Sequence, residues 1–179
     1  MTKRLLPLIT AVVILALSLL STGCKNTNSD IVNSAKKFIE KHYSINHEDV
    51  ALWKDFSTGI TPENQKTLDD FMYSFKDVLT EKEFNIYLAD RTPQGRLENL
   101  YNNECTAEVK DLSIKEKEIA DDMKPCDISF TWVIKDSNNN IKNEHKIMKT
   151  LYLSKENGTW LVNECNTFEV IGKDLKMNY

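Results

Sequence analysis

The chain has 179 residues, of which 41% are hydrophobic and 28% are charged, so it is long and apolar enough to bury one core. Its 27 acidic residues outnumber its 23 basic residues and give a formal net charge of −4 at pH 7. This acidity argues against a broad nucleic-acid surface or adsorption to anionic lipid, because both require clustered Lys and Arg.

The first residues have the three regions of a secretory signal. Lys3 and Arg4 precede an apolar run from Leu5 to Leu20, which is followed by small residues. Pro7 interrupts the run, and a membrane-spanning helix needs about 20 apolar residues. We therefore predict a signal peptide over residues 1–23 that is removed, with a permanent anchor helix as the alternative.

The end of this segment, Leu20-Ser21-Thr22-Gly23-Cys24, resembles the lipobox of bacterial lipoproteins. In that family the Cys thiol takes a diacylglyceryl group and the bond before it is cut, which implies lipidation of Cys24 in this chain. The family most often has Leu where Ser21 stands here, so an ordinary cleaved signal is the second alternative. Residues 24–29 then form the lipidated Cys and a polar spacer, and the lipid holds the protein on the extracytoplasmic face of the cell membrane.

The next segment has the spacing of apolar residues that is typical of amphipathic helices. Ser29 or Asp30 can cap a first helix, a short segment around Trp53 follows, and Thr61-Pro62 begins a third helix. The apolar stripe of that helix extends to Leu79, and a capping-box pattern at Thr80 begins another. Residues 91–95 read as a turn, and a last short helix follows through residues 97–101.

From residue 104 the apolar period changes to two, which indicates strands. The strongest alternation is in residues 126–134, a long strand follows over 141–153, and Asn157-Gly158 predicts a hairpin into the last strand. In the first strand Val109 and Leu112 are out of phase, so we predict a β-bulge near Lys110-Asp111. The sequence thus predicts an α+β domain over residues 30–171, with helices packed on a curved antiparallel four-stranded sheet, and a tail over 172–179.

The helices are thus followed by strands, and the strands end in a hairpin at residues 151–162 that contains Leu-Tyr-Leu and Asn-Gly-Thr-Trp-Leu-Val. This order of elements resembles the cystatin-like cone of nuclear-transport-factor-like and SnoaL-like domains. It is also similar to small lipoproteins of Gram-positive bacteria that carry such a domain. The resemblance implies a cone with helices on one face, and this fold serves enzymes, ligand binders and assembly modules alike.

The cysteines left after lipidation are Cys105, Cys126 and Cys165. The predicted strand order places Cys126 and Cys165 two strands apart, roughly 10 Å, whereas a disulfide needs Cα atoms within about 7 Å. Cys105 and Cys126 begin successive antiparallel strands and so lie at opposite ends. We predict buried free thiols and no intramolecular disulfide.

Residues for catalysis or cofactor binding are not apparent in the pattern. No CxxC or close His pair indicates a metal, no Gly-rich loop indicates a phosphate cofactor, and no Ser or Cys has the context of a nucleophile. His42 lies on the apolar side of its helix, so we interpret it as a packed or rim residue rather than a base. We predict no catalytic residue, no metal and no cofactor.

One polar set on the predicted sheet is a candidate pocket. The hairpin register predicts Lys149 on the same face as Trp160 and Glu164, where Lys149 and Glu164 can form a cross-strand ion pair. If that face is concave, Trp132 joins them around a small cavity. The alternative is an ordinary surface ion pair at the sheet edge.

Three functions follow from these features. The first is a non-enzymatic module at the envelope that binds another protein or a wall component. The second is a receptor for a small ligand held in the cone. The third is an enzyme that uses Glu164 as a base in the pocket. We favour the first function, because the signal segment with its lipobox and the acidic composition are evident in the sequence, whereas a pattern of catalytic residues is not.

Overall fold

The computed structural model describes residues 27–118 and 122–165. Five α-helices are followed by a four-stranded antiparallel sheet of order β1-β2-β3-β4, which confirms the predicted α+β class. The signal segment, Cys24 and the tail lie outside the described residues, as do residues 166–171 of the predicted domain. The elements are α1 (Thr27–Tyr43), α2 (His47–Thr58), α3 (Pro62–Tyr73), a 3₁₀ turn (Ser74–Asp77), α4 (Glu81–Ala89), α5 (Thr92–Asn102), β1 (Cys105–Glu116), β2 (Met123–Asp136), β3 (Ile141–Glu156) and β4 (Thr159–Cys165).

Three helices begin at polar caps that satisfy the free N–H groups of their first turns. The Asn46 side chain accepts from the N–H groups of Glu48 and Asp49 at the start of α2. Thr61 forms the predicted start of α3, and the Thr80 hydroxyl accepts from the N–H of Glu83 at the start of α4. These starts were predictable because a cap needs only neighbours in sequence.

Other helix ends differ from the prediction. The first helix begins at Thr27, within the predicted spacer. The predicted third helix stops at Tyr73, because Leu79 is in a bridge to Val162 of the sheet and the chain cannot remain helical up to it. The predicted turn over residues 91–95 was wrong, because Pro93 fits the first turn of α5 and Gly95 lies inside that helix.

The strand register contains the predicted bulge. It lies between Lys110 and Ser113, where Asp111 has a φ of 54°, and it brings Val109 and Ile114 to the helix-facing side of the sheet. Two further register shifts, which the sequence pattern does not indicate, lie in the β2–β3 pairing between Ile134 and Lys135 and in the β3–β4 pairing between Tyr152 and Leu153.

The helices pack on one face of the sheet. Helix α1 lies across this face and contacts all four strands, while α5 contacts β1. We call this the inner face, and the opposite side the outer face. The inner face contributes Ile128, Phe130, Trp132 and other buried residues to one continuous core with the helices.

Both edges of the sheet are paired over part of their length by segments outside it. Ile45 exchanges two backbone hydrogen bonds of 2.8 and 2.9 Å with Ala107 of β1. On the other edge, the Val162 N–H donates to the carbonyl of Val78 at 3.0 Å and its carbonyl accepts from the N–H of Thr80 at 2.9 Å. Thus the loops that lead into α2 and α4 also hold the sheet.

Candidate functional site

Buried side chains fill the space between the helices and the inner face of the sheet, which we call the interior. Trp132 is 1% exposed, and its indole N–H donates to the backbone carbonyl of Tyr43 at 2.9 Å. The Tyr43 ring contacts both Trp132 and Phe130 edge-on, with centroid distances of 5.8 and 4.7 Å. Aromatic rings therefore occupy the space between the helices and the inner face of the sheet.

A buried polar cluster lies beside these rings. The His42 Nδ1 and the Tyr87 hydroxyl are 2.6 Å apart, and both residues are fully buried. The His42 ring stacks on Phe38 at 5.2 Å and meets the Tyr43 ring edge-on at 4.5 Å. The Arg96 guanidinium carbon lies 5.2 Å from the centre of the same Tyr43 ring, which is a cation–π distance.

The electrostatics of this cluster keep His42 neutral. Burial lowers the pKa of His42 well below its usual 6.5, and the positive charges of Arg96 and Lys149 lower that pKa further. A neutral imidazole with no solvent exposure has no route to a substrate. The arrangement fits a structural hydrogen bond inside the core better than a catalytic base.

Two buried charged residues of the helices escaped the sequence analysis. Arg96 and Glu83 are 3% and 4% exposed, although charged side chains are seldom buried. A signal was present in the helical spacing: Arg96 follows Pro93 by three residues and precedes Leu100 by four, so it shares their buried side of α5. Tyr87 is related in the same way to Glu83 in α4.

The structure does not bring the four predicted pocket residues together. Trp132 pairs with His145 of β3, whereas Trp160 pairs with Lys155. On β3, Lys149 is four residues from His145, the partner of Trp132, and six residues from Lys155, the partner of Trp160. At about 3.3 Å per residue, these separations along the strand are roughly 13 Å and roughly 20 Å. Trp160 is half-buried, with the Lys155 ammonium 6.0 Å from its ring centre.

The predicted ion pair between Lys149 and Glu164 is wrong. Lys149 pairs with Ile128 and lies on the inner face near His42. The bulge next to Tyr152 reverses the alternation of β4, so Glu164 pairs with Tyr152 and is exposed on the outer face. A carboxylate in that position cannot serve as a base inside the cone.

The cysteines occupy the predicted strand positions. Cys126 and Cys165 both pair with Leu151, from the two sides of β3, so a whole strand separates them. Cys105 and Cys126 are buried free thiols at opposite ends of the β1–β2 pair. Burial raises the pKa of Cys126 to about 11, and the nearby Glu116 and Asp127 carboxylates add to the shift, so the thiol stays protonated.

The outer face carries a groove of about 400 Å³ across β1, β2 and β3. Its floor is the row Ser113–Ser129–Met148, in which two small side chains lie side by side and Met148 is 72% exposed. The neighbouring rows are Lys110–Thr131–Lys146 on one side and Lys115–Asp127–Thr150 on the other. The depression follows from this sequence, because serines alternate with longer side chains.

The charges around the groove are predominantly positive. Asp127 contributes a carboxylate to the lining of the groove. This carboxylate accepts hydrogen bonds from the Lys117 ammonium and the Thr150 hydroxyl, each at 2.8 Å. These two hydrogen bonds lower the pKa of Asp127. Lys110 contacts Glu108 at 3.0 Å. Lys115 and Lys146 are exposed and form no ion pair within the part of the chain that the structure describes.

Metal and membrane features were searched over the same residues. Residues 27–118 and 122–165 contain no group of three His, Cys, Asp or Glu side chains that could hold a metal ion. None of the helices in these two ranges combines the length and apolar character that crossing a membrane requires.

Comparisons with known proteins found a similar solved structure, whereas no protein-family model and no curated protein matches the chain. Among solved structures, the chain is similar to a Campylobacter jejuni protein provisionally named an NTF2-like transpeptidase, at 18% identity over 74% of this chain and 96% of that chain. The TM-score is 0.28, so this likeness supports no inference about activity, and the fold described above rests on its own strand order and packing.

Proposed function

We propose that this protein is a non-catalytic binding module of the cell envelope, tethered to the membrane through a lipid on Cys24. It binds an envelope protein or a wall component with the outer face of its sheet. The observation that carries this proposal is the division of the domain into a filled interior and a grooved exterior. Trp132 and His42 occupy the cone, while the hydroxyls and lysines of the outer face remain accessible.

The filled interior weighs against the two other functions. A receptor that holds a small ligand needs a cavity of several hundred Å³ lined by apolar groups and a few polar ones. Here the equivalent space contains the Tyr43, Phe130 and Trp132 rings, packed at 4.7 to 5.8 Å. Glu164, the candidate base of an enzyme, is exposed on the outer face of β4, so it lies neither in the filled interior nor among the residues that line the outer groove.

The tether has its own test. In cells that make the Cys24→Ser protein, we expect the unlipidated chain to leave the membrane fraction, and mass spectrometry of the wild type to find a diacylglyceryl group on an N-terminal Cys24. A Cys24→Ser protein that remains in the membrane would show that the segment Leu5 to Leu20 is the anchor instead.

The binding face can be tested by photo-crosslinking on intact cells. A photoreactive residue at Ser129 in the outer groove is compared with one at Lys82, which is exposed on α4 on the helical side. We expect a reproducible high-molecular-weight adduct from position 129 and none from position 82. Monomer alone from position 129, or equal adducts from both positions, would refute the proposal.

A further inference from the structure

The outer groove has a chemical character that narrows its ligand. Its floor and walls present the hydroxyls of Ser113, Ser129 and Thr150, which donate and accept hydrogen bonds. Lys115 lines the groove, and Lys146 lies in the next row beyond Met148. Both are exposed and form no ion pair among the described residues. Hydroxyl donors between ammonium groups favour an anion that has several acceptor oxygens.

Phosphate groups match these donors, because their several acceptor oxygens can accept from hydroxyls and from an ammonium group at once. Lys binds phosphate as a point charge, whereas the two-pronged guanidinium of Arg suits carboxylate and phosphate alike. The chain has Arg residues at positions 4, 91 and 96, and the four described strands contain none. All positive charges around the groove are lysines.

The spacing of the lysines favours a chain of phosphates over a single one. Lys115 and Lys146 are separated by two strand spacings across the sheet and by four residues along it, which places their Cα atoms roughly 16 Å apart. A single phosphate would contact both ammonium groups only if the two side chains extended along the sheet toward each other. Successive phosphates of a polymer contact both groups without this constraint, and the second contact then forms at high effective concentration.

Asp127 is the one feature of the groove that opposes an anion. Its carboxylate is already bound by the Lys117 ammonium and the Thr150 hydroxyl, both at 2.8 Å. The Lys117 ammonium thus offsets the Asp127 carboxylate, which also lies opposite Lys115 on β1, and Lys146 adds a further positive charge. Met148, which is 72% exposed at the end of the floor, offers contact to the carbon atoms between phosphates.

From these observations we propose that the outer groove binds a phosphodiester-linked polyol chain, with its phosphates at Lys115 and Lys146 and its hydroxyls over Ser113 and Ser129. This inference rests on the proposed function, because it names the chemistry of the wall component that the outer face would bind. The lipid tether places the groove within reach of polymers at the outside of the membrane.

The test uses the full-length lipidated protein in neutral detergent micelles and measures binding by calorimetry and by fluorescence anisotropy. The probe is an oligomer of eight glycerol phosphate units, compared with inorganic phosphate and with a peptide of eight glutamates. We expect the oligomer to bind, inorganic phosphate to bind at least a hundredfold more weakly, and the glutamate peptide at least tenfold more weakly. Oligomer binding should weaken with added salt, because surface charges are screened.

Two variants locate the site. Lys115→Gln with Lys146→Gln should reduce oligomer affinity about tenfold or more. The matched control, Lys54→Gln with Lys82→Gln, removes the same charge from exposed helical positions and should change affinity less than twofold. Ser129→Leu fills the floor without a change in charge and should also reduce affinity, by about fivefold.

Several outcomes would overturn the inference. Equal losses in the two lysine pairs would mean a response to net charge only, and equal binding of the glutamate peptide would point to an acidic protein segment. No oligomer binding, or self-association of the protein that disappears in the groove variants, would assign the face to another occupant. If position 129 still crosslinks to a protein in cells, the proposed function survives and only the polyol phosphate ligand is lost.

Discussion

The buried His42 predicts that the protein loses stability in mild acid. The folded protein holds His42 as a neutral imidazole, because burial and the nearby Arg96 and Lys149 charges lower its pKa well below 6.5. The unfolded chain has an ordinary histidine at this position, so it binds the proton more readily than the folded chain does. The stability that neutral His42 allows is therefore fully present above about pH 6.5 and decreases as the pH falls below that value.

The size of the effect follows from proton linkage. While the unfolded state holds one proton more than the folded state, the free energy of unfolding changes by about 1.4 kcal/mol per pH unit. Between pH 8 and pH 5 the loss is therefore at most about 2 kcal/mol, which is a measurable part of the 5–15 kcal/mol that is typical of a domain. Carboxylates such as Asp127 and Asp136 have lowered pKa values, so their contribution is lost only at more acidic pH.

The assay is urea unfolding of the purified protein at half-unit steps from pH 5 to pH 8, followed by Trp fluorescence. His42→Phe keeps an aromatic ring between Phe38 and Tyr43, and it should flatten the pH slope whatever it does to overall stability. His47→Gln, at an exposed histidine, should keep the wild-type slope. A wild-type protein with no slope below pH 6.5, or a slope that persists in His42→Phe, would refute the reasoning.

Three other predictions concern stability and reactivity. Gly158→Ala should lower the free energy of unfolding by about 1 kcal/mol, because Gly158 has a φ of 84°. Gly95→Ala should raise the free energy of unfolding by about 0.5–1 kcal/mol, because Gly95 lies inside α5 with nothing within 4 Å of the added Cβ. Equal effects of the two substitutions in thermal unfolding would contradict this. Trp132→Phe should cost about 2–4 kcal/mol in urea unfolding, because it removes the donor to the Tyr43 carbonyl and leaves a gap, and a cost under 1 kcal/mol would mean that the interior is loosely packed. Cys126, buried and with a pKa raised to about 11, should react with a maleimide at pH 8 only after unfolding, and rapid labelling of the native protein by mass spectrometry would contradict its burial.

The sequence was most informative where structure depends on neighbours in the chain. The caps at Thr61 and Thr80 involve residues three positions apart, and both were predicted. The bulge at Lys110 was predicted because two apolar residues were out of phase in a strand long enough to show it. Pro93 and Gly95 were misread as a turn, since both residues are common in turns and Pro also fits the first turn of a helix.

The candidate site was less predictable, because it depends on contacts between distant elements. In β4 the alternation of Trp160, Val162 and Glu164 gives no sign that a bulge reverses it, so Glu164 was placed on the wrong face. The His42 contact joins α1 to Tyr87 of α4, and no local pattern specifies that pair. The outer groove is a property of rows across three strands, and these appear only when the register is known.

The two backbone bridges at the sheet edges have a consequence for how copies of the protein meet. Open strand edges recruit other strands, and lipid tethering would concentrate many copies on one surface, where such pairing leads to aggregation. Here Ile45 occupies part of the β1 edge, and Val78 and Thr80 occupy part of the β4 edge, so those backbone groups are already paired. Beyond the bulge, Lys115 in β1 and Lys117 directly after it place positive charges along this edge. When many copies are crowded at a membrane, their sheets would then stay separate. A partner would be recognised by side chains of the sheet rather than by adding a strand to its edge.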